Sequence, residues 1–259
     1  MRAGDRLILA TIALAIVLTV LDSVSGGGVA GWANTHLSGW ARTAGGWLMR
    51  IGLFVSPILL LPLLTALMGR FLSVPAGAWH FERRLIGIFD TITTTIGGAA
   101  RWFALGLVVV TALVVIQRYV FGYASTKLQE SVIYMHALLF LLASGTALLN
   151  GGHVRVDVLY AKMGERGKAW TDLIGTYLAL MPMCFLILWS STGYMNSTWR
   201  ILEQSRESDG LAFVFLLKTA IPVFAVLMIL QGFSMAARAA MTIGGQEAPA
   251  VPETFQGEV

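Results

Sequence analysis

The chain has 259 residues, of which 56% are hydrophobic and 12% charged, against roughly 25% charged in an average soluble domain. With a mean hydropathy of +0.74, a soluble globule could not hide this apolar surface, so the chain reads as an integral membrane protein. A single cysteine, Cys184, excludes a disulfide scaffold, and a net charge of +4 spread over the ends of apolar segments excludes a nucleic-acid-binding stripe.

A membrane helix needs about 20 mostly apolar residues, and six segments approach that: Leu7–Leu21, Trp47–Met68, Trp102–Phe121, Ser131–Leu149, Leu173–Trp189 and Leu211–Ala237. The first, short and preceded by Arg2 and Arg6, reads as a retained helix because Val29-Ala30-Gly31 is a poor cleavage site. A cleaved signal peptide is the alternative. Tryptophans and tyrosines cluster near span ends, as an interfacial belt places them. With the N-terminus cytoplasmic, eleven Lys and Arg fall on the cytoplasmic side and six on the other, with Lys218 inside a span. This bias places both termini in the cytoplasm.

The organisation expected is an all-α membrane protein with a four-helix transmembrane core. Residues 1–70 form a two-helix extension and 71–100 a connector. Within the connector, Trp79–Ile96 is a candidate amphipathic helix on the cytoplasmic face. The core occupies 101–240, and the tail 241–259, with two prolines and three glutamates, is expected to be disordered. There is no internal repeat, so the inverted-repeat signature of a complete secondary transporter is missing.

Catalytic and cofactor motifs fail on context. Gly26–Gly31 matches G-x-G-x-x-G, but a membrane span precedes it and no acidic residue follows about 20 positions on, so it reads as a flexible loop. Haem held by two histidines needs a pair at matching depth, and of the four histidines only His136 sits well inside a span. No zinc or nucleophile motif is present. Neither an enzyme nor a bound cofactor is expected.

The informative residues lie in the core. Gln117-Arg118-Tyr119-Val120-Phe121-Gly122 closes its first span, Leu128-Gln129-Glu130 opens the second, and Asn150-Gly151-Gly152-His153-Val154-Arg155-Val156-Asp157-Val158 closes it. Ser205, Glu207, Ser208 and Gly210-Leu211 precede the last span, which holds Leu217-Lys218 and Ile221-Pro222. In this order and spacing the elements resemble the small permease subunit (DctQ-like) of tripartite ATP-independent periplasmic (TRAP) transporters over about residues 101–240. Many members carry a Glu-Glu pair where Gln129-Glu130 stands, and an arginine where Ile133 stands, so roles resting on those side chains do not carry over.

The resemblance implies a bacterial inner-membrane subunit of a sodium-driven secondary importer. Such a subunit acts as a scaffold for a large elevator-type membrane subunit, and a periplasmic binding protein delivers the organic solute. A membrane anchor for a redox enzyme is the alternative reading. The candidate interface or structural polar residues are Arg118, Glu130, His136, His153, Arg155, Asp157 and Lys218. Glu130 is expected to face the N-terminal dipole of its helix or to contact another subunit. Lys218, costly if unpaired at its depth, is expected to snorkel outward, to pair with Glu130, or to pair with the large subunit. His153, Arg155 and Asp157 are expected to cap their helix and begin an interfacial segment.

Overall fold

Alternating apolar stretches and short polar breaks dictate helices joined by turns. The computed structural model, which describes residues 2–72, 74–152 and 160–252, contains no strand among them. The helices are α1 (Ala3–Val24), α2 (Gly28–Leu37), α3 (Trp40–Leu59), α4 (Leu61–Phe71), α5 (Ala76–Ala100), α6 (Trp102–Val120) and α7 (Thr126–Leu149). They continue with α8 (Glu165–Gly175), a π-helical turn over Thr176–Leu180, α9 (Met181–Arg200) and α10 (Val214–Ile243). Six helical stretches among the described residues are long and apolar enough to cross a membrane: Ala3–Val24, Phe54–Phe71, Ala76–Val120, Thr126–Leu149, Glu165–Arg200 and Val214–Ile243.

Several of these depart from the expected spans, the fifth running from Glu165 to Arg200 rather than from Leu173 to Trp189. In the second, α3 begins at Trp40, ahead of Trp47, and α4 follows from Leu61. The third is prolonged on its N-terminal side by α5, from which α6 is separated only by Arg101. The Gly26–Gly31 run forms the turn after α1 and the first residues of α2, with no strand before it.

The chain divides into two compact units, the first comprising residues 1–49, 95–143 and 188–224 and the second 50–94, 144–187 and 225–259. In the first unit, α1 is apolar on every side and touches the rest by its N-terminal end. Gly4 is buried against the end of α5, where a Cβ would lie 2.5 Å from the carbonyl carbon of Gly98. Only glycine allows so close a backbone approach. The Asp5 carboxylate accepts from the Arg2 amide at 3.0 Å, from the Trp102 indole at 3.0 Å, and from Arg101. Farther along, Leu9, Leu14, Ile16 and Val20 are all at least half exposed, as suits a helix whose solvent is hydrocarbon.

In the second unit, α5 buries one stripe, Trp79, Glu82, Ile86, Asp90 and Thr93, at spacings of three and four residues. Phe81, Ile88 and Ile92 face outward. This inverts a soluble amphipathic helix, with acids turned in and hydrocarbon turned out. The later half of α10, rich in small residues, is the most buried stretch: Phe233, Ala236, Ala237, Ala240 and Met241 are fully enclosed. Gly145 of α7 lets three helices converge, since a Cβ there would stand 2.8 Å from the Thr93 side chain of α5 and 3.5 Å from Leu227 of α10. This close approach lies within the Ala143–Ala147 run of small residues, as that run anticipates. The described end of the tail is tied down: Arg83 donates to the Glu247 carbonyl at 3.1 Å and Arg238 to the Pro249 carbonyl at 3.0 Å.

Candidate functional site

In the first unit the polar chemistry collects on the loop between α9 and α10. Leu202, at φ +45°, holds a left-handed backbone that a branched side chain rarely adopts. The turn folds the next residue back over the start of α10, where the Phe215 amide donates to the Glu203 carbonyl at 3.2 Å. The Glu203 carboxylate then meets the Lys218 ammonium at 2.6 and 2.7 Å and accepts from the Thr198 hydroxyl at 3.0 Å. The Lys218 ammonium beside it holds the Glu203 carboxyl below the usual carboxylate range. Lys218 also lies over the Tyr194 ring, 4.8 Å from its centroid, a cation–π contact.

Lys218 therefore pairs with Glu203, not with Glu130. The expectation placed it seven residues into its helix, whereas α10 begins at Val214. The loop carboxylate reaches it there, so it needs neither a distant acid nor a long outward stem. Glu130, a turn inside α7, directs its carboxylate to the same loop and accepts from the Leu211 amide at 2.6 Å and from the Ser205 hydroxyl. Lys127 adds an exposed ion pair with Asp209 at 2.7 Å. Trp199 packs edge-on to Phe215 at 5.0 Å, donates to Thr219 at 3.0 Å, and meets Trp40 of α3 at 5.9 Å.

Of the remaining candidates, Arg118 is exposed in the last turn of α6, where a cation suits the negative helix end. His136 is exposed and meets the Phe140 ring in a tilted contact, 5.0 Å between centroids. His153, Arg155 and Asp157 lie outside the described residues.

The second unit holds a polar centre that sequence reasoning missed. Asp90, buried on α5, accepts from Arg238 and from Ser234 (2.7 Å) of α10, while Arg238 also donates to Ser234 at 2.6 Å. Gln231 approaches the same carboxylate at 3.4 Å. Glu82, fully buried, accepts from Thr65 at 2.7 Å. A usable signal existed. Asp90 is the one acid in α5 beyond Glu82, and Arg238 is the one cation in α10 beyond Lys218; opposite charges inside apolar helices ask for each other. Among the described residues no three of His, Cys, Asp and Glu come together as a metal site.

These networks spend their charges within the chain, and the surface around them is apolar. The family model for the DctQ component of tripartite ATP-independent periplasmic transporters matches residues 107–242, just over half of the chain. The chain belongs to this family. It is thus a multi-pass membrane component of a tripartite transporter. No curated protein and no solved structure matches it. The DctQ match begins within α6 and ends within α10, so it covers the Glu203–Lys218 pair, Glu130 and Arg238. The helix that supplies Asp90 precedes it. The DctQ portion of this chain therefore has one of its buried charges neutralised by a residue outside the family's own span.

Proposed function

We propose that this DctQ component is the small, non-catalytic membrane subunit of a sodium-driven importer for an organic solute. In this reading a periplasmic binding protein delivers the solute, and a large elevator-type subunit in the bacterial inner membrane carries it across. The chain is the fixed scaffold beside that moving partner. The family match over residues 107–242 carries the reading. The networks support it, because Glu203–Lys218, Glu130 with its loop donors, and Asp90–Arg238 bind the chain to itself. Discontinuous helices paired by an internal repeat, the usual apparatus of alternating access, are missing from the sequence. Arg118 and His136, exposed on the first unit, are the side chains assigned to contact with the large subunit. Residues 1–70 form the extension and 101–240 the core of this scaffold.

The test is co-purification and uptake. The chain should co-elute with the large subunit, and vesicles should take up solute only with both membrane subunits, the binding protein and a sodium gradient. Uptake by vesicles holding this chain alone would overturn the scaffold reading. A Soret band in the purified protein would support a redox anchor instead.

A further inference from the structure

Residues 28–49 lie ahead of the second span, into which α3 continues across Pro57, a residue that bends a helix. The helix before them, α1, has 22 residues, about 33 Å at 1.5 Å per residue, which matches a hydrocarbon core of about 30 Å. Its end, marked by Asp22 and the turn at Ser25–Gly27, therefore emerges at headgroup level. The far side of the segment is fixed independently: Trp40 meets Trp199 at 5.9 Å, where α9 gives way to the polar loop carrying Glu203, Arg206 and Asp209. Both anchor points stand at the end of a span.

Between them the chain is too polar to re-enter hydrocarbon and too apolar for water. Asn34, Thr35, His36 and Arg42 interrupt it, yet Trp32, Trp40, Trp47 and Leu48 are 55 to 67% exposed. At 100° per residue, Trp40, Ala44, Trp47 and Leu48 of α3 share one arc of about 100°, with Arg42 and Gly46 across the helix axis. The segment contains no acidic residue. Indoles beside an arginine, on an amphipathic helix at span-end level, have the chemistry of a bilayer interface.

We propose that residues 28–49 form a surface-lying anchor that binds the phospholipid headgroup layer. The Trp40–Leu48 face is sunk to the acyl boundary, and the Arg42 guanidinium sits against lipid phosphates. The anchor extends the membrane footprint of the subunit beyond its spans. It rests on the length of α1 and the Trp40 contact, and it stands whether or not the chain serves an importer.

The experiment uses the full chain with Cys184→Ser, reconstituted in vesicles of phosphatidylcholine and phosphatidylglycerol. Single nitroxides are placed through Leu48→Cys and Ala44→Cys on one face, and Arg42→Cys and Gly46→Cys on the other. Two positions per face keep the test open should one variant fold poorly. Expected is severalfold greater collision with dissolved oxygen than with a water-soluble nickel chelate at 44 and 48, and the reverse at 42 and 46. Equal nickel access on both faces would place the segment in water. Oxygen access without nickel on both faces would make it transmembrane. Protection of 44 and 48 from both reagents would show that protein, a second copy or another subunit, covers them. Each of these three results overturns the proposal.

Discussion

At the scale of single residues, two ion pairs of different burial carry different consequences. Lys218 and Glu203 each keep about a quarter of their side-chain surface exposed, so solvent screens the pair and its contribution is about 1 kcal/mol. Lys218→Met should lower the melting temperature of the purified subunit slightly. Glu203→Gln in the same chain should recover part of the loss, while Glu130→Gln should not, since Glu130 bonds Leu211 and Ser205 instead. Recovery by Glu130→Gln would refute the assignment. The pH dependence follows in sign. The folded-state pKa of Glu203 is depressed, so its stabilisation is complete above the unfolded value of about 4.3. It is lost as pH falls from there through the lower folded value. The melting-temperature gap between wild type and Lys218→Met should close below about pH 4.

Asp90 and Arg238 differ because Asp90 retains only 4% side-chain exposure and Arg238 15%. Removing one partner strands a buried charge, at a cost of about 3 kcal/mol or more. Asp90→Ala should therefore sharply reduce thermal stability. Combining Asp90→Leu with Arg238→Met should restore most of it, because an apolar pair of similar volume needs no compensation. Equal damage in single and double variants would show that the geometry of the charges, rather than their mutual neutralisation, matters here.

At the scale of elements, α1 is attached to α5 and α6 by its N-terminal end. Gly4 abuts the α5 backbone and Asp5 bonds Arg101 and Trp102. With α1 retained, the purified chain has a mass near 28.0 kDa. A mass and N-terminal sequence starting near residue 31 would instead show cleavage. Gly4→Leu forces a side chain into the Gly98 backbone and should release the N-terminal end of α1, detectable as new protease access before Leu7. The π-helical turn at Thr176–Leu180 is a second local device. Leu180 packs where a Cβ on Gly232 would come within 2.7 Å, and Tyr177 donates to the Leu59 carbonyl. The widened turn comes just before Pro182, whose missing N–H leaves a helical carbonyl in that turn without its usual donor.

At the scale of the whole molecule, we propose from the six candidate spans and the distribution of Lys and Arg that both termini lie in the cytoplasm. A C-terminal alkaline phosphatase fusion should be inactive and a C-terminal fluorescent fusion bright. An active phosphatase would invert the orientation. With residues 28–49 on the surface, a tag inserted in the α1–α2 turn should be reachable from the periplasm, and labelling of that tag in intact spheroplasts checks the same topology from its other side.

What this sequence determines alone is what depends on local composition: the membrane class, the helices, and the family likeness carried by motifs such as Arg118–Gly122. Apolar run length sets a span whatever lies beside it, so those expectations hold, and only span edges move, where α3, α5, α8 and α9 extend into polar sequence. The partners of the charges are a different matter. Glu203 lies in a loop with no periodic pattern, and nothing in its neighbours says that a left-handed Leu202 will fold it over Lys218. Asp90 and Arg238 are 148 positions apart. That Glu82 and Asp90 turn inward while Arg83 and Arg84 turn outward depends on which stripe of α5 meets α10. A helix in hydrocarbon is free to rotate about its axis until its neighbours pack against it, and only tertiary packing makes that choice.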